Sequence, residues 1–388
     1  MLEMKTIVRA IPLLLAAFLL TGCWNRTELV DKAFVMGVAV QSVDLETVHL
    51  AVQMFKPSQK AGGQASAMQK SFINIKTTGD STFEAVRDIM LQLGRKAQWS
   101  HMRIIIIDEK TARTNNLLSL LEYFYRDHET RITTKVLITK GDPSEYLKVR
   151  PMIEQTISQQ FNKMESNSSK VSGKAPIANL LELAQALKSE VPNTILPIAT
   201  IKQKGGVSMS GLAVIQDSKM IGTMSALQTQ DILMLRNQYK NGILTIPCIH
   251  EDEGEKKQSD SIEVQSALVT LKPVIQSDKL SVKMNVAITG NIGDLACTKL
   301  EKRGDEKLFI QRIEQMMEQR LLETVRETQK REVDLFGIGN LLYRKHTRVW
   351  KQWKRDWGTR YANASIELKV NVRLQNTLTT TGKPIYMK

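Results

Sequence analysis

The residues of this 388-residue chain best able to do chemistry are three cysteines and five histidines. The histidines, His49, His101, His128, His250 and His346, are scattered, and no metal-ligand spacing joins them. His128-Glu129 begins like the zinc-protease motif, in which two imidazoles one helical turn apart hold the metal. Ile132 stands where the second His would be, so the motif fails. Gly337-x-Gly339 lacks the third glycine of a phosphate-cradling loop and follows a charged helix rather than a strand. Those glycines are expected to allow a tight bend between helices. Gly206-Val207-Ser208-Met209-Ser210-Gly211 misses the Gly-x-Ser-x-Gly spacing of a nucleophile elbow. No catalytic residue, metal site or cofactor is therefore assigned. Cys248 and Cys297 are read as two buried small apolar side chains; in an oxidising compartment they could instead pair.

Cys23 is different, because of what precedes it. Lys5 and Arg9 lead into an uncharged apolar run over 11–20, and Thr21-Gly22 are small. A basic segment, a short apolar core and small residues before the cut describe a secretory signal peptide over 1–22. The apolar run is about half the roughly twenty residues that a spanning helix needs. Leu20-Thr21-Gly22-Cys23 resembles the lipobox of bacterial lipoproteins, whose Cys is acylated and becomes the first residue. Lipid methylenes contribute about 0.8 kcal/mol each when buried, so two or three acyl chains hold a protein firmly at a membrane surface.

The rest is ordinary globular material: 42% hydrophobic, 24% charged, net charge +14. For a body outside the cytoplasm, anionic headgroups or wall polymers are the expected counter-charge rather than nucleic acid, with general solubility as the equal alternative.

The elements read as an α+β or α/β multidomain chain, with mixed sheets and packed helices at both ends. Three domains are expected: an N-terminal α/β domain over 23–142, a smaller, mainly helical unit over 143–200, and a C-terminal α/β domain over 201–388. Strands at 34–40 and 48–54 make a hairpin, followed by a polar loop over 57–69 and a strand at 72–76. Ser81 and Glu84 cap a helix whose buried stripe reads Phe83, Val86, Met90 and Leu93, ending at Gly94. Ile104-Ile105-Ile106-Ile107 reads as a strand covered on both faces. A loop over 166–175 interrupts the middle unit, and 250–261 reads as a charged loop. Strands over 262–271 and 280–288 look antiparallel. The longest helix carries Phe309, Ile313, Met317, Leu321 and Val325 on one stripe, and a last strand over 364–374 alternates.

Two surfaces stand out. Arg126, Asp127, Glu129 and Arg131 lie between a helix and a buried strand, as a partner-docking patch or, the favoured reading, a salt-bridged corner. Trp350, Trp353 and Trp357 share one helix face and are expected in the core. Around them lie Arg344, Lys345, Arg348, Lys351, Lys354 and Arg355, the candidate surface for anionic headgroups or membrane proteins.

The order of several blocks resembles one family, the Ger(x)C lipoproteins, C subunits of nutrient germinant receptors in spore-forming bacteria. The blocks are Gly22-Cys23-Trp24-Asn25-Arg26-Thr27-Glu28-Leu29, Arg103-Ile104-Ile105-Ile106-Ile107 and Tyr125-Arg126-Asp127-His128-Glu129-Thr130-Arg131. Further on come Gly211-Leu212-Ala213-Val214-Ile215, Lys219-Met220-Ile221-Gly222, Asp334-Leu335-Phe336-Gly337-Ile338-Gly339 and Tyr343-Arg344-Lys345. Asn25 departs from the acidic residue usual there. The resemblance implies a non-enzymatic subunit of three α/β-type domains, anchored through acylated Cys23 on the outer face of the spore inner membrane. It implies partners too: two integral membrane subunits, A and B, with which nutrient sensing is coupled to germination. The rival reading, a solute-binding lipoprotein, requires a cleft with convergent polar groups. A wall-associated hydrolase would need a cleft with paired carboxylates.

Overall fold

The computed structural model describes residues 31–42, 47–56, 71–203, 205–248, 258–302 and 304–375. The signal segment, Cys23 and the loop over 57–69 lie outside the described residues, as does most of 250–261.

A nine-stranded mixed sheet dominates the first half, in the order β3-β2-β1-β5-β6-β7-β8-β9 with β4 also on β1. β1 (Lys32–Ser42), β2 (Val48–Phe55) and β3 (Phe72–Gly79) form the expected antiparallel run. Helix α1 (Thr82–Leu93) then returns the chain to β4 (Lys96–Gln98), and a 3-10 turn, Trp99–His101, leads into β5 (Ile104–Asp108). β4 and β5 both run parallel to β1. The four isoleucines of β5 alternate between two cores. Ile105 and Ile107 meet helices α2 (Glu109–Thr114), α3 (Leu117–Leu120) and α4 (Glu122–Arg126) on one face. Ile104 and Ile106 face the other core, so the strand is covered on both sides as expected.

Helix α1 is capped much as its sequence indicates. The Ser81 hydroxyl accepts the Glu84 amide, while the Glu84 carboxylate accepts the Asp80 amide at 2.8 Å, one residue ahead of a regular box. Gly94 ends it in the left-handed region. The expected stripe is displaced, however. Thr82, Ala85, Val86 and Ile89 are buried, while Phe83 is 53% and Met90 39% exposed. Counting large side chains misplaced the inner face; small Thr82 and Ala85 let the helix close on its neighbours, and the Thr82 hydroxyl donates to Leu120 O.

The residues 143–200 hold the helices expected there: α5 (Pro143–Tyr146), α6 (Ile157–Val171) and α7 (Leu180–Leu187). They do not stand as a unit between two sheets. α5 and α6 cover the Ile104 face and α7 the opposite one. The stretch ends in β7 (Asn193–Ile201), parallel to β6 (Lys135–Thr139). β8 (Val207–Gln216) and β9 (Lys219–Met224) extend the same sheet, so a cut at 201 passes between hydrogen-bonded strands. An apolar pattern does not carry the pairing that assigns a strand to its sheet. The loop expected from 166 begins only after α6 ends at Val171.

On the inner face of α6 is Glu165, fully buried, its carboxylate accepting the Ala178 amide at 2.6 Å with Lys135 Nζ at 3.8 Å. Burial pushes this carboxyl up to about 8, against the pull of Lys135. Between its ordinary value of 4.5 and about 8, the folded chain holds a proton that the unfolded chain releases. Glu165 therefore removes stability as pH rises through that window. Glu165→Gln is expected to flatten the fall of Tm between about pH 5 and pH 8, read by thermal unfolding across pH. An unchanged slope would assign the dependence to other groups.

Helix α8 (Ala226–Leu235) is buried over Thr229 to Leu235 and joins the two halves. The second sheet runs β10-β11-β12-β13, from β10 (Gly242–Pro247), β11 (Ser259–Gln276), β12 (Lys279–Asp294) and β13 (Ser365–Leu374). β11 takes in the end of the expected 250–261 loop. β12 and β13 are parallel, and the crossover between them is helical. It contains α9 (Asp305–Lys330), α10 (Ile338–Lys345), α11 (Thr347–Trp353) and α12 (Trp357–Ala362). The stripe from Phe309 to Val325 on α9 is buried on this sheet as expected. Glu318 and Glu314 of α9 accept the Val370 and Val372 amides of β13, satisfying donors that an edge strand leaves open.

Cys248 and Cys297 correct their sequence reading: they are a disulfide, Cα–Cα 6.0 Å, closing 49 residues of chain. Spacing gave no sign of it, because the β11–β12 hairpin brings them together. A closed loop of that length restricts the unfolded chain, so Cys248→Ala with Cys297→Ala is expected to cost about 2–4 kcal/mol. Urea unfolding of the double variant checks this; an unchanged midpoint would contradict it.

Candidate functional surface

The three tryptophans are core, as expected. Trp350, Trp353 and Trp357 are 2%, 1% and 7% exposed, and the Trp350 and Trp357 rings meet edge-on at 5.3 Å. Their position is fixed by Gly339, where an added Cβ would lie 2.5 Å from Val191 Cγ2 and 2.7 Å from the Trp357 ring. The preceding Gly337 begins α10 from the left-handed region (φ 73°), so the bend read from these glycines is present. Two indoles reach carboxylates at the rim: Trp350 Nε1 donates to Glu190 at 3.1 Å and Trp353 Nε1 to Asp278 at 2.7 Å. The hydrogen bond from Lys354, then that from Trp350, holds the Glu190 carboxyl below its usual range. Trp353 and then Arg360 do the same for Asp278.

The cations interleaved with these rings all point outward. Arg344, Lys345, Arg348, Lys351, Lys354 and Arg355 are exposed along α10, α11 and the turn that follows. Lys354 pairs with Glu190 at 2.8 Å. Among the described residues the other five have no carboxylate within ion-pairing distance, so a basic strip faces solvent over an aromatic core. Chemically it can hold anions through water-exposed point charges.

The corner at 126–131 is built differently. Asp127 accepts the Tyr123 hydroxyl at 2.6 Å and the Glu129 amide at 2.7 Å. Glu129 accepts the Trp99 amide and pairs with Lys96 at 3.2 Å. Glu129 thus ties this segment to β4 and the turn after it, while Asp127 braces the end of α4 against Glu129. Arg126 pairs with Glu122 one turn back, and Arg131 is exposed. Beside this corner runs a groove of about 480 Å³ lined by Phe83, Met90, Trp99 and Tyr123.

Sequence reasoning missed a second cavity, of about 430 Å³, where the halves meet. Arg236, Glu182, Asn193 and Asn340 line it. Arg236 donates to Leu335 O and, through Nε, to Gln238 at 3.0 Å; burial lowers its pKa against the pull of Asp334 and Glu182. Beside it the buried Asp334 carboxylate accepts the Phe336, Ile338 and Gly339 amides at 3.0, 3.2 and 2.7 Å. Desolvation raises this carboxyl, and the amides oppose that rise. Nothing local marked Arg236, since apart from Gln238 its neighbours come from α7, β7 and the loop before α10.

Among the described residues no cluster of three potential metal ligands occurs, and no helix is long and apolar enough to cross a membrane. Fold and surface define a two-sheet α+β protein whose conspicuous features are exposed charge, a groove and a junction. Two family models match it in order: "Spore germination protein N-terminal domain" over 25–201 and "Spore germination B3/ GerAC like, C-terminal" over 210–378. The chain belongs to the Ger(x)C family of spore germination proteins. Spore germination protein YndF of Bacillus subtilis (strain 168) is 24% identical, covering 91% of this chain and 92% of its own length. Spore germination protein B3 of the same organism is 22% identical over 98% and 100%. A solved structure described as that of the GerBC protein shares the fold: TM-score 0.54 and 17% identity, covering 88% of this chain and 97% of its own.

Proposed function

We propose that this chain is the lipid-anchored, non-enzymatic C subunit of a nutrient germinant receptor. It is held by acylated Cys23 on the outer face of the spore inner membrane and assembles there with two integral membrane subunits, A and B. Its work is assembly and coupling through surfaces. The observation that carries this reading is the ordered match of both family models across nearly the whole chain. The Leu20-Thr21-Gly22-Cys23 sequence supports the anchor, and the unpaired cations of α10 and α11 offer a surface to the membrane subunits. In spores, deleting the chain is expected to abolish the response to one nutrient class while other nutrients still trigger germination. A mutant with every nutrient response intact would overturn the proposal.

The junction cavity favours a second reading, direct capture of a small solute, because Arg236 and Glu182 offer opposite charges across about 430 Å³. Titration calorimetry with amino acids, sugars and nucleosides separates the two. Saturable binding lost in Arg236→Met would favour capture.

A further inference from the structure

The strands β1, β4, β5 and β6 run parallel, so their first residues lie toward one end of the large sheet, with β5 and β6 starting level with Gly37 of β1. That end is cationic. Lys32 opens β1 and pairs in register with Lys96 at the start of β4, and Arg103 directly precedes β5. Arg131 belongs to the same end, since its charge and that of Arg103 both act on His101 in the turn between β4 and β5. Lys96 is neutralised by Glu129. Among the described residues Lys32, Arg103 and Arg131 have no carboxylate partner.

Helix α1 brings apolar surface to the same end. It runs down to β4 through Gly94, and at 100° per residue Phe83, Glu84, Arg87, Met90 and Leu91 share the exposed side, with Glu84 at the end far from β4. Leu91 is 83% exposed, at the helix terminus nearest β4, and Arg95 follows it. Arg87 lies over the Phe83 ring at 4.8 Å, leaving its charge outward. Large apolar side chains interleaved with unpaired arginines suit a surface that is oily beneath and anionic above.

Chain length says which surface that is. Cys23 lies nine residues before Lys32, and nine extended residues span at most about 30 Å. Acyl chains on Cys23 would therefore enter the bilayer within that distance of Lys32, at the start of β1. We propose that the β1/β4/β5 end and the outer face of α1 rest on the anionic headgroups of the membrane that holds the anchor. Leu91 and Met90 enter the interface, and Arg87 and Arg95 meet phosphate oxygens. This inference rests on acylation of Cys23. It leaves the basic strip on α10 and α11, which lies in the β12–β13 crossover of the second sheet, free for the membrane subunits.

The test uses the acylated full chain reconstituted alone in phosphatidylglycerol-containing vesicles. An environment-sensitive fluorophore is placed through Leu91→Cys and, as a control, through Ile243→Cys on β10, itself 57% exposed. Emission at position 91 is expected to shift to the blue and to be quenched by nitroxide lipids, with no change at 243. Arg87→Gln with Arg95→Gln should lower the ratio of docked to undocked body about thirtyfold, two cations near an anionic leaflet being lost. Equal emission at the two positions overturns the orientation, and so does quenching at 91 that appears only when membrane subunits are added. Mass spectrometry of the N-terminal peptide reports the anchor separately: an acylated chain unquenched at 91 refutes this face alone, an unacylated one refutes the anchor with it.

Discussion

Replacing Asp231 by Ala is expected to lower the free energy of unfolding by about 3–5 kcal/mol. Asp231 sits on the buried helix α8 at 1% exposure, and Arg320 of α9 reaches its Oδ1 through Nε at 2.7 Å and Nη2 at 2.6 Å. Thr324, one turn further along α9, donates to Oδ2 at 2.9 Å. Removing the carboxylate leaves a guanidinium only 15% exposed with Gln230, at 3.4 Å, as its one remaining side-chain acceptor among the described residues. The penalty is that of stranding a buried charge, so removing both partners should hurt less. Asp231→Leu with Arg320→Met is expected to recover much of the loss. Urea midpoints of the single and double variants measure it. A single variant within about 0.5 kcal/mol of wild type would show that this pair does not hold α8 to α9.

Asp334→Ala should cost a similar amount, about 4 kcal/mol, because three buried amides lose one shared acceptor. The carboxylate folds the loop Asp334-Leu335-Phe336-Gly337-Ile338-Gly339 back on itself and orients α10. That helix carries Arg344 and Lys345 and leads to the tryptophan core, so the variant should also expose indole. A red shift in tryptophan emission accompanying the lost stability is the expected signature. Asp334→Asn keeps an acceptor and should cost about half as much. Gly339→Ala tests the same packing from the other side, through its contact with Val191 and the Trp357 ring. Equal stability of Asp334→Ala and wild type would remove the loop from this account.

The legible parts of the chain were those whose periodicity and burial agree. The α9 stripe, the β13 alternation and the four isoleucines of β5 each present one residue class to one environment, so pattern alone placed them. Misreadings arose where small residues or distant pairing decide. Ala85 and Thr82 turned the α1 stripe, which left Phe83 and Met90 outside, and that displacement is itself the trace of a surface. β7 could not be assigned to the first sheet without knowing its pairing with β6 and β8. The disulfide and the Arg236 cavity join segments far apart in sequence, and no local spacing encodes either. The exposed cations at 344–355 were visible because charge and aromatic positions alternate at helical spacing. The fate of the acidic residues at 127–129 was half visible, since composition cannot tell a corner from a patch.

The most direct test of the central claim is co-purification of the tagged chain from detergent-solubilised spore membranes, with Cys23→Ala beside wild type. Wild type is expected to bring down two integral membrane proteins, with Cys23→Ala released from the membrane and recovered alone. If neither form has membrane partners and a nutrient binds the released body directly, the receptor-subunit account is contradicted and direct solute capture takes its place.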